Sequence, residues 1–173
     1  MIIYHDTEWG IPTKDDRKLF EFLVLESAQA GLSWKTVLHK RENYRAAFAH
    51  FDAHKVAKFT KRDVATLLKN AGIIRNRAKI EAAINNAARF LEIQKEFGSF
   101  ATYSWQFVHN KTITHTIKTP RDYPTVIPEA EHFATDLKRR GFKFLGPTTI
   151  YAHMQAVGMV NAHMVGCFRR KSC

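Results

Sequence analysis

The residue best placed to do chemistry is Glu26, because of the company it keeps. Written on a helix, Leu19, Phe22, Leu23, Glu26 and Ala30 share one face at spacings of three and four. A carboxyl on an apolar stripe loses hydration, so it finds partners, keeps its proton, or sits at the edge of the stripe in water. The stripe alone leaves these open. Gly31 stops that helix, Ser33 caps the next, and Trp34 opens it. The turn therefore brings a carboxylate and an indole together, a pocket suited to a flat, polar or cationic ligand. The opening MIIYHDTEWG crowds Tyr4, His5, Glu8 and Trp9 into ten residues, which predicts a segment held against the fold.

A second set lies in LLKNAGIIRNRAKIEAAINNAARFLEI. Leu67 and Leu68 close one helix, a tight turn through Gly72 and Ile73 follows, and a long helix begins near Arg77. Such a hairpin can aim backbone N–H groups and a helix N-terminus at a phosphate. The helix dipole disfavours arginine at an N-terminus, so Arg75 and Arg77 make sense beside an anion. An ordinary hairpin with solvated arginines is the plain alternative. Net charge weighs on the first reading: 27 Lys and Arg against 16 Asp and Glu leave +11, which favours a polyanionic partner such as nucleic acid.

The elements that must position these residues read as all-α. Thr13 and Asp16 resemble a capping box for the Glu26 helix. Ser33 opens a second helix running through Tyr44 to Phe48. Asp52 caps a third to about Phe59, and Thr60 with Asp63 caps a fourth ending near Asn70. The long helix buries Ile80, Ile84, Ala87, Ala88 and Leu91. Ser99 caps another through Trp105 and Val108, residues 109–127 read as a long connection, and Pro128 opens a helix to Arg140. GFKFLGPTTIYAHMQAVG packs Phe142, Phe144 and Leu145 before a last buried helix with Ile150, Met154 and Val157 in line. No strand pattern, repeat or low-complexity tract stands out. No apolar run is long enough to span a membrane and no leader precedes the first motif; two cysteines, Cys167 and Cys173, suit a reducing, cytoplasmic setting.

YHDTEWG, LESAQAGLSW, KRENYRAAF, NAGIIRNRAKI, KRRGFKFLGPTTIYAHMQA and NAHMVGC, in that order along nearly the whole chain, resemble the 3-methyladenine DNA glycosylase I family. This is a branch of the helix-hairpin-helix DNA glycosylases. The resemblance implies one domain over 1–173 with two lobes, a hairpin lobe of roughly 34–110 and a lobe of 1–33 plus 111–173. It also implies a monomeric enzyme of base excision repair that hydrolyses the N-glycosidic bond of 3-methyladenine in alkylated double-stranded DNA. By that pattern Glu26 is catalytic, and Tyr4, Trp9 and Trp34 shape the base pocket. Gly31 and Leu32 enter the DNA stack, while Gly72, Ile73, Arg75 and Arg77 hold the backbone. The alkylated base is already a cationic leaving group, so the enzyme needs selection more than acid. Stacking of Tyr4 and Trp34 on a cation would supply about 0.5–2 kcal/mol. No Asp occurs between Asp63 and Asp122, and the place of a hairpin lysine nucleophile holds Asn76, with Lys79 nearby. That implies no lyase activity.

The same resemblance implies a structural zinc. His163 and Cys167 stand four apart, as two ligands on one helical face do, and His5 is the matching partner from the N-terminal segment. A further Cys and an aromatic of the family pattern would precede YHD, outside this sequence, so the expected zinc is partial or absent. Cys173 is the one other thiol. Without the resemblance, a packed Cys167 and a hydrogen-bonded His163 would be ordinary. The competing function is a non-catalytic helix-hairpin-helix module that binds DNA or a lesion, which would not require Tyr4, Glu26 and Trp34 together.

Overall fold

A computed structural model describes residues 1–171. Ten α-helices run through them in order, beginning with α1 (Ile2–Thr7) and α2 (Asp16–Gln29). Every residue of α2 from Leu19 to Ala28 is buried. A helix buried all round belongs at a centre, and α2 packs on α3 (Trp34–His39), α7 (Arg77–Phe97), α8 (Phe100–Trp105) and α10 (Pro147–Ala156). The single apolar stripe of the sequence therefore understates how far this helix is enclosed.

The N-cap of α2 is Asp15, which accepts from the backbone N–H groups of Arg17 and Lys18, and not Thr13. Asp16 is drawn elsewhere: its carboxylate accepts from the N–H groups of Phe100 and Ala101 at 2.7 and 2.8 Å, tying the start of α8 to α2. The helix expected from Ser33 to Phe48 is two, α3 and α4 (Arg41–Ala47), divided at Lys40, whose N–H turns back to Val37 O. Three left-handed residues, Ala49, His50 and Phe51, then reverse the chain. After α5 (Ala53–Val56), shorter than expected, the Thr60–Asp63 capping box opens α6 (Lys61–Lys69) as read from sequence. On α7 the buried face runs through Ile80, Ala83, Ala87 and Phe90, so Ile84 and Leu91 are only partly covered.

The connection after α8 is less irregular than its sequence. Ile113–Thr114 (β1) pairs in parallel with Val160–Asn161 (β2), Ile113 opposite Val160, and an isolated bridge joins Ile117 to Met164. Two-residue strands are too short to show a period of two. They fasten the segment before α9 (Pro128–Arg139) to the one after α10. Phe142 and Leu145, in the turn between those helices, pack inward, but Phe144 is exposed with φ +57° and does not join the core. The N-terminal segment is tied to the far end of the chain: Thr13 N–H donates to Val157 O at 3.1 Å, and Gly158, at φ +74°, lets the Ile11–Pro12 backbone lie directly against it.

Candidate active site

A cavity of about 460 Å³ opens where α1, α2 and the segment after α10 meet. Glu26, Tyr4, Trp9 and Trp34, all singled out in the sequence, line it together, along with Gln29, Tyr123 and Gln155, which the sequence did not flag. Tyr123 comes from the long connection, where a capped turn at Thr119–Asp122 precedes it, and no local pattern marks such a residue.

Glu26 is 5% exposed, and among the described residues no side chain or N–H pairs with its carboxyl. Burial pushes its pKa up to about 8, so near neutral pH the carboxyl keeps its proton. Tyr4 and Trp34 stand close, ring centroids 5.6 Å apart and planes tilted by 50°, and Phe22 stacks behind Trp34 at 6.5 Å. Contacting rings at that separation leave no room for a third between them, so they form one wall. The indole Nε1 of Trp34 is buried without a partner. An unpaired acid, an unpaired indole N–H and an aromatic wall are what a flat, cationic or hydrogen-bonding ring would complete.

Beside Glu26 on α2, Glu21 has the opposite environment. Arg41 Nε and Arg45 donate to its Oε1 at 2.7 and 2.9 Å. The remaining Arg41 nitrogens hold both oxygens of Glu8 at 2.5 and 2.7 Å. Burial would raise Glu8, but the hydrogen bonds from Arg41 and Lys18 outweigh it and hold the carboxyl near 2. This network fixes the segment carrying Tyr4 and Trp9 to α2 and α4.

His5, His163 and Cys167 also border the cavity, their ligand atoms all within 4.8 Å of one another. His5 Nε2 lies 3.6 Å from Cys167 Sγ, close to the roughly 3.5 Å that a tetrahedral zinc sets between a nitrogen and a sulfur. His163 Nε2 is buried without a partner. The other ring nitrogens are engaged: His5 Nδ1 with Asp6 Oδ1 at 2.7 Å, His163 Nδ1 with Asn161 Oδ1 at 3.0 Å. That pattern leaves each Nε2 lone pair turned to a shared point. The three donors fit a zinc ion, with Asp6 and Asn161 as supports the sequence reading missed. Cys173 lies outside the described residues. Trp9 joins cluster to cavity, its ring 4.6 Å from His163 and 5.9 Å from His5. Gly10 is required here: at φ +79°, a Cβ would stand 2.5 Å from His163 Cε1.

At the end of α2 the chain turns through Gly31 (φ +80°) to Leu32, which is 42% exposed, an apolar side chain offered to solvent at the edge of a basic protein. The 70–76 turn differs from expectation. Ile73 is buried in the core, and the N–H groups of Gly72, Ile73 and Ile74 donate to Asn70 Oδ1, Asn70 O and Tyr44 Oη. Those three amides are already used inside the fold, so a phosphate would meet the exposed Arg75 and Arg77 side chains instead. Arg77 has a loose partner in Glu81 at 3.4 Å. Lys79, near the place of a lyase nucleophile, is engaged by two carbonyls of α2's end. A second helical hairpin, α9–α10, exposes Lys138 and Lys143 around a turn whose helix α10 begins at Gly146–Pro147 without a side-chain cap. The sequence marks this turn for packing alone.

Comparison with known proteins gives a consistent set of likenesses. The sequence pattern of the methyladenine glycosylases matches residues 1–170. The chain is 48% identical to the DNA-3-methyladenine glycosylase 1 of Escherichia coli K12, over 96% of this chain and 89% of that protein. A crystal structure of a 3-methyladenine DNA glycosylase I superposes with a TM-score of 0.94 at 50% identity, covering 96% of this chain and 92% of the other. The Staphylococcus aureus 3-methyladenine DNA glycosylase I, solved for its recognition of 3-methyladenine, matches with a TM-score of 0.95 at 40% identity, over 98% and 90%.

Proposed function

The chain belongs to the methyladenine glycosylase family, and from that membership we infer that it hydrolyses the N-glycosidic bond of 3-methyladenine in alkylated DNA, the first step of base excision repair. The observation that carries the residue-level reading is the unpaired Glu26 carboxyl in a cavity walled by Tyr4 and Trp34. A DNA-binding module has no use for a buried acid without a partner, because leaving it so costs stability. A cationic base entering the cavity favours the Glu26 carboxylate, and the carboxylate favours the cation over neutral adenine. Trp34 and Tyr4 stack along one side.

An enzyme of this kind draws its target nucleotide out of the helix, at a cost of a few kcal/mol. Leu32, presented by the Gly31 turn, is the side chain placed to occupy the space left behind. Arg75 and Arg77, and the basic α9–α10 turn, hold the backbone. Selection at the chemical step follows if the pocket binds the separating ion pair more strongly than the intact nucleotide. Since Lys79 is engaged elsewhere and the hairpin offers Asn76, the reaction stops at the abasic site. His5, His163 and Cys167 would hold a structural zinc, which would brace the wall carrying Trp9 and tie the N-terminal segment to the one after α10.

Base release from methylated duplex, followed by chromatography, is the test. The expected result is free 3-methyladenine, 7-methylguanine left in the DNA, and an uncut strand. DNA binding without any base release above a heat-inactivated control would favour the non-catalytic module, and a borohydride-trapped adduct with strand cleavage would refute the monofunctional reading.

A further inference from the structure

Lys79 is on α7, two residues after Arg77 opens that helix, yet its ammonium reaches across to another element. Its Nζ donates to Ala28 O at 2.8 Å and to Ala30 O at 2.6 Å. These are carbonyls at the C-terminal end of α2, where the helix has run out of partners of its own and where a cation is favoured. Ala30 is the last residue before Gly31, and Leu32 N–H donates back to Gln29 O at 2.6 Å. One side chain therefore clamps the root of the turn that presents Leu32. The same helix carries Glu26 one turn earlier, and Asn76, which caps α7, accepts from the backbone of Lys79 itself. Nothing else among the described residues bridges the arginine turn and the Leu32 turn by side chain in this way.

We propose that Lys79 is a positioning residue that couples the grip on the DNA backbone at Arg75 and Arg77 to insertion of Leu32. The inference rests on the reading of the cavity given above. Its logic is geometric: a turn of two residues that must enter a base stack is useful only if its root is held, and a misplacement of about 1 Å in such an element can cost about a hundredfold in rate. Lys79 supplies that hold from the element that is itself seated on the phosphates, so the two contacts form as a unit. With two of its three ammonium N–H groups taken by Ala28 O and Ala30 O, Lys79 serves as the clamp and not as a phosphate contact, although its charge and its place in a basic stretch would suggest one.

The test uses Lys79→Met and Lys79→Arg in the full chain. Four quantities are read beside wild type: single-turnover release of 3-methyladenine, binding of free 3-methyladenine, preference for a duplex with a tetrahydrofuran abasic analogue over intact duplex, and the salt dependence of intact-duplex binding. Lys79→Met is expected to lose about 10- to 100-fold in release and a similar factor in preference, with free-base binding and the salt slope unchanged. Lys79→Arg, which keeps charge and donors, is expected to recover most of the loss. In a Leu32→Ala background Lys79→Met should cost little more, since residues acting as a unit are not additive. Release and preference equal to wild type would overturn the proposal, as would full additivity with Leu32→Ala. A salt slope lower by about one unit would make Lys79 a phosphate contact and overturn it too. If Lys79→Met does not fold, Lys79→Arg and the same cycle with Lys79→Gln carry the decision. Absence of base release by the wild-type chain would instead strike the functional reading itself, so the two failures are separable.

Discussion

Glu21 and Glu26 stand five residues apart on one helix, both buried, and only Glu21 is paired. The apolar stripe of the sequence marks Glu26 but gives no sign that Glu21 is buried as well. What sets them apart is the arrival of Arg41 and Arg45 from α4 on one side of α2, and of a cavity on the other. A fold that supplies two arginines to one carboxylate has left the other without any.

The first expectation concerns pH. Glu26 has its folded pKa raised from 4.5 to about 8 by burial. The folded state thus binds this proton more tightly than the unfolded chain, so the acid's stability contribution is present at low pH and is lost as pH rises from about 4.5 through 8. Activity should run the other way, since the carboxylate is the form that reads a cation. kcat/KM for base release is expected to climb through about pH 8 and to flatten in Glu26→Gln, which should also bind free 3-methyladenine more weakly while keeping its affinity for undamaged DNA. A wild-type profile identical to that of Glu26→Gln, with equal product affinity, would return Glu26 to a packing role.

Trp34 and Tyr4 form one wall, with no gap between their rings for a base, so each should contribute separately. Trp34→Ala is expected to lose about 1–3 kcal/mol of affinity for the free base. Trp34→Phe should keep most of the stacking and lose what the unpaired indole N–H provides. Calorimetric titration with 3-methyladenine separates the two. Equal affinity in Trp34→Ala and wild type would place the base elsewhere in the cavity.

Arg41 is the partner of one buried carboxylate, Glu21, and one half-buried, Glu8, and removing it should be felt as stability rather than chemistry. Arg41→Ala leaves Glu21 to Arg45 and Glu8 to Lys18, and is expected to cost about 1.5–3 kcal/mol in denaturant unfolding. Glu8 is held near 2, below its ordinary value, so its contribution is present above about pH 4.5 and fades as pH falls towards 2. Arg41→Ala should shrink that acid-dependent part to what Lys18 still supports, and an unchanged unfolding midpoint would show that Arg41 contributes nothing.

Much of the site could be read from the sequence because its residues are local: Glu26, Gly31, Leu32 and Trp34 occupy one helix end and the next helix start, and caps at Ser33, Thr60 and Ser99 fall where read. What could not be read depends on distant partners. Asp16 was drawn to α8 and left the capping of α2 to Asp15; Asn70 and Tyr44 had already taken the amides of the 70–76 turn; Tyr123 reached the cavity from a connection without periodicity. The supports of the histidines, Asp6 and Asn161, follow from side-chain geometry that no spacing encodes.

Arg75 and Arg77 should act through charge alone. With the neighbouring amides occupied, Ala substitution of either is expected to weaken binding to damaged and undamaged duplex alike and to lower the salt slope by about one unit per lost contact. Arg77, already near Glu81, should show the smaller effect. Filter binding over a range of salt checks both; a loss confined to lesion discrimination at an unchanged slope would contradict a phosphate role.

The last expectation is for the metal. Three donors, His5, His163 and Cys167, converge with their outer ring nitrogens engaged, and three protein ligands with water in the fourth position can hold zinc. Among the described residues no fourth His or Cys joins them, so affinity is expected to be lower than for a closed four-ligand site and purified protein to carry less than one zinc. His163→Ala and Cys167→Ser should lower zinc content outright. Asp6→Ala and Asn161→Ala, which leave the donors in place, should weaken affinity by about 10- to 100-fold through the freed imidazoles. The ligands come from opposite ends of the chain and border the cavity beside Trp9, whose ring contacts both histidines. Chelation is therefore expected to lower the melting temperature more than it lowers base release per folded molecule at a permissive temperature. Elemental analysis, with melting and release measured on the same chelated sample, decides it. A tightly held zinc whose removal ends base release in a still-folded protein would make the ion part of the chemistry and overturn the structural role.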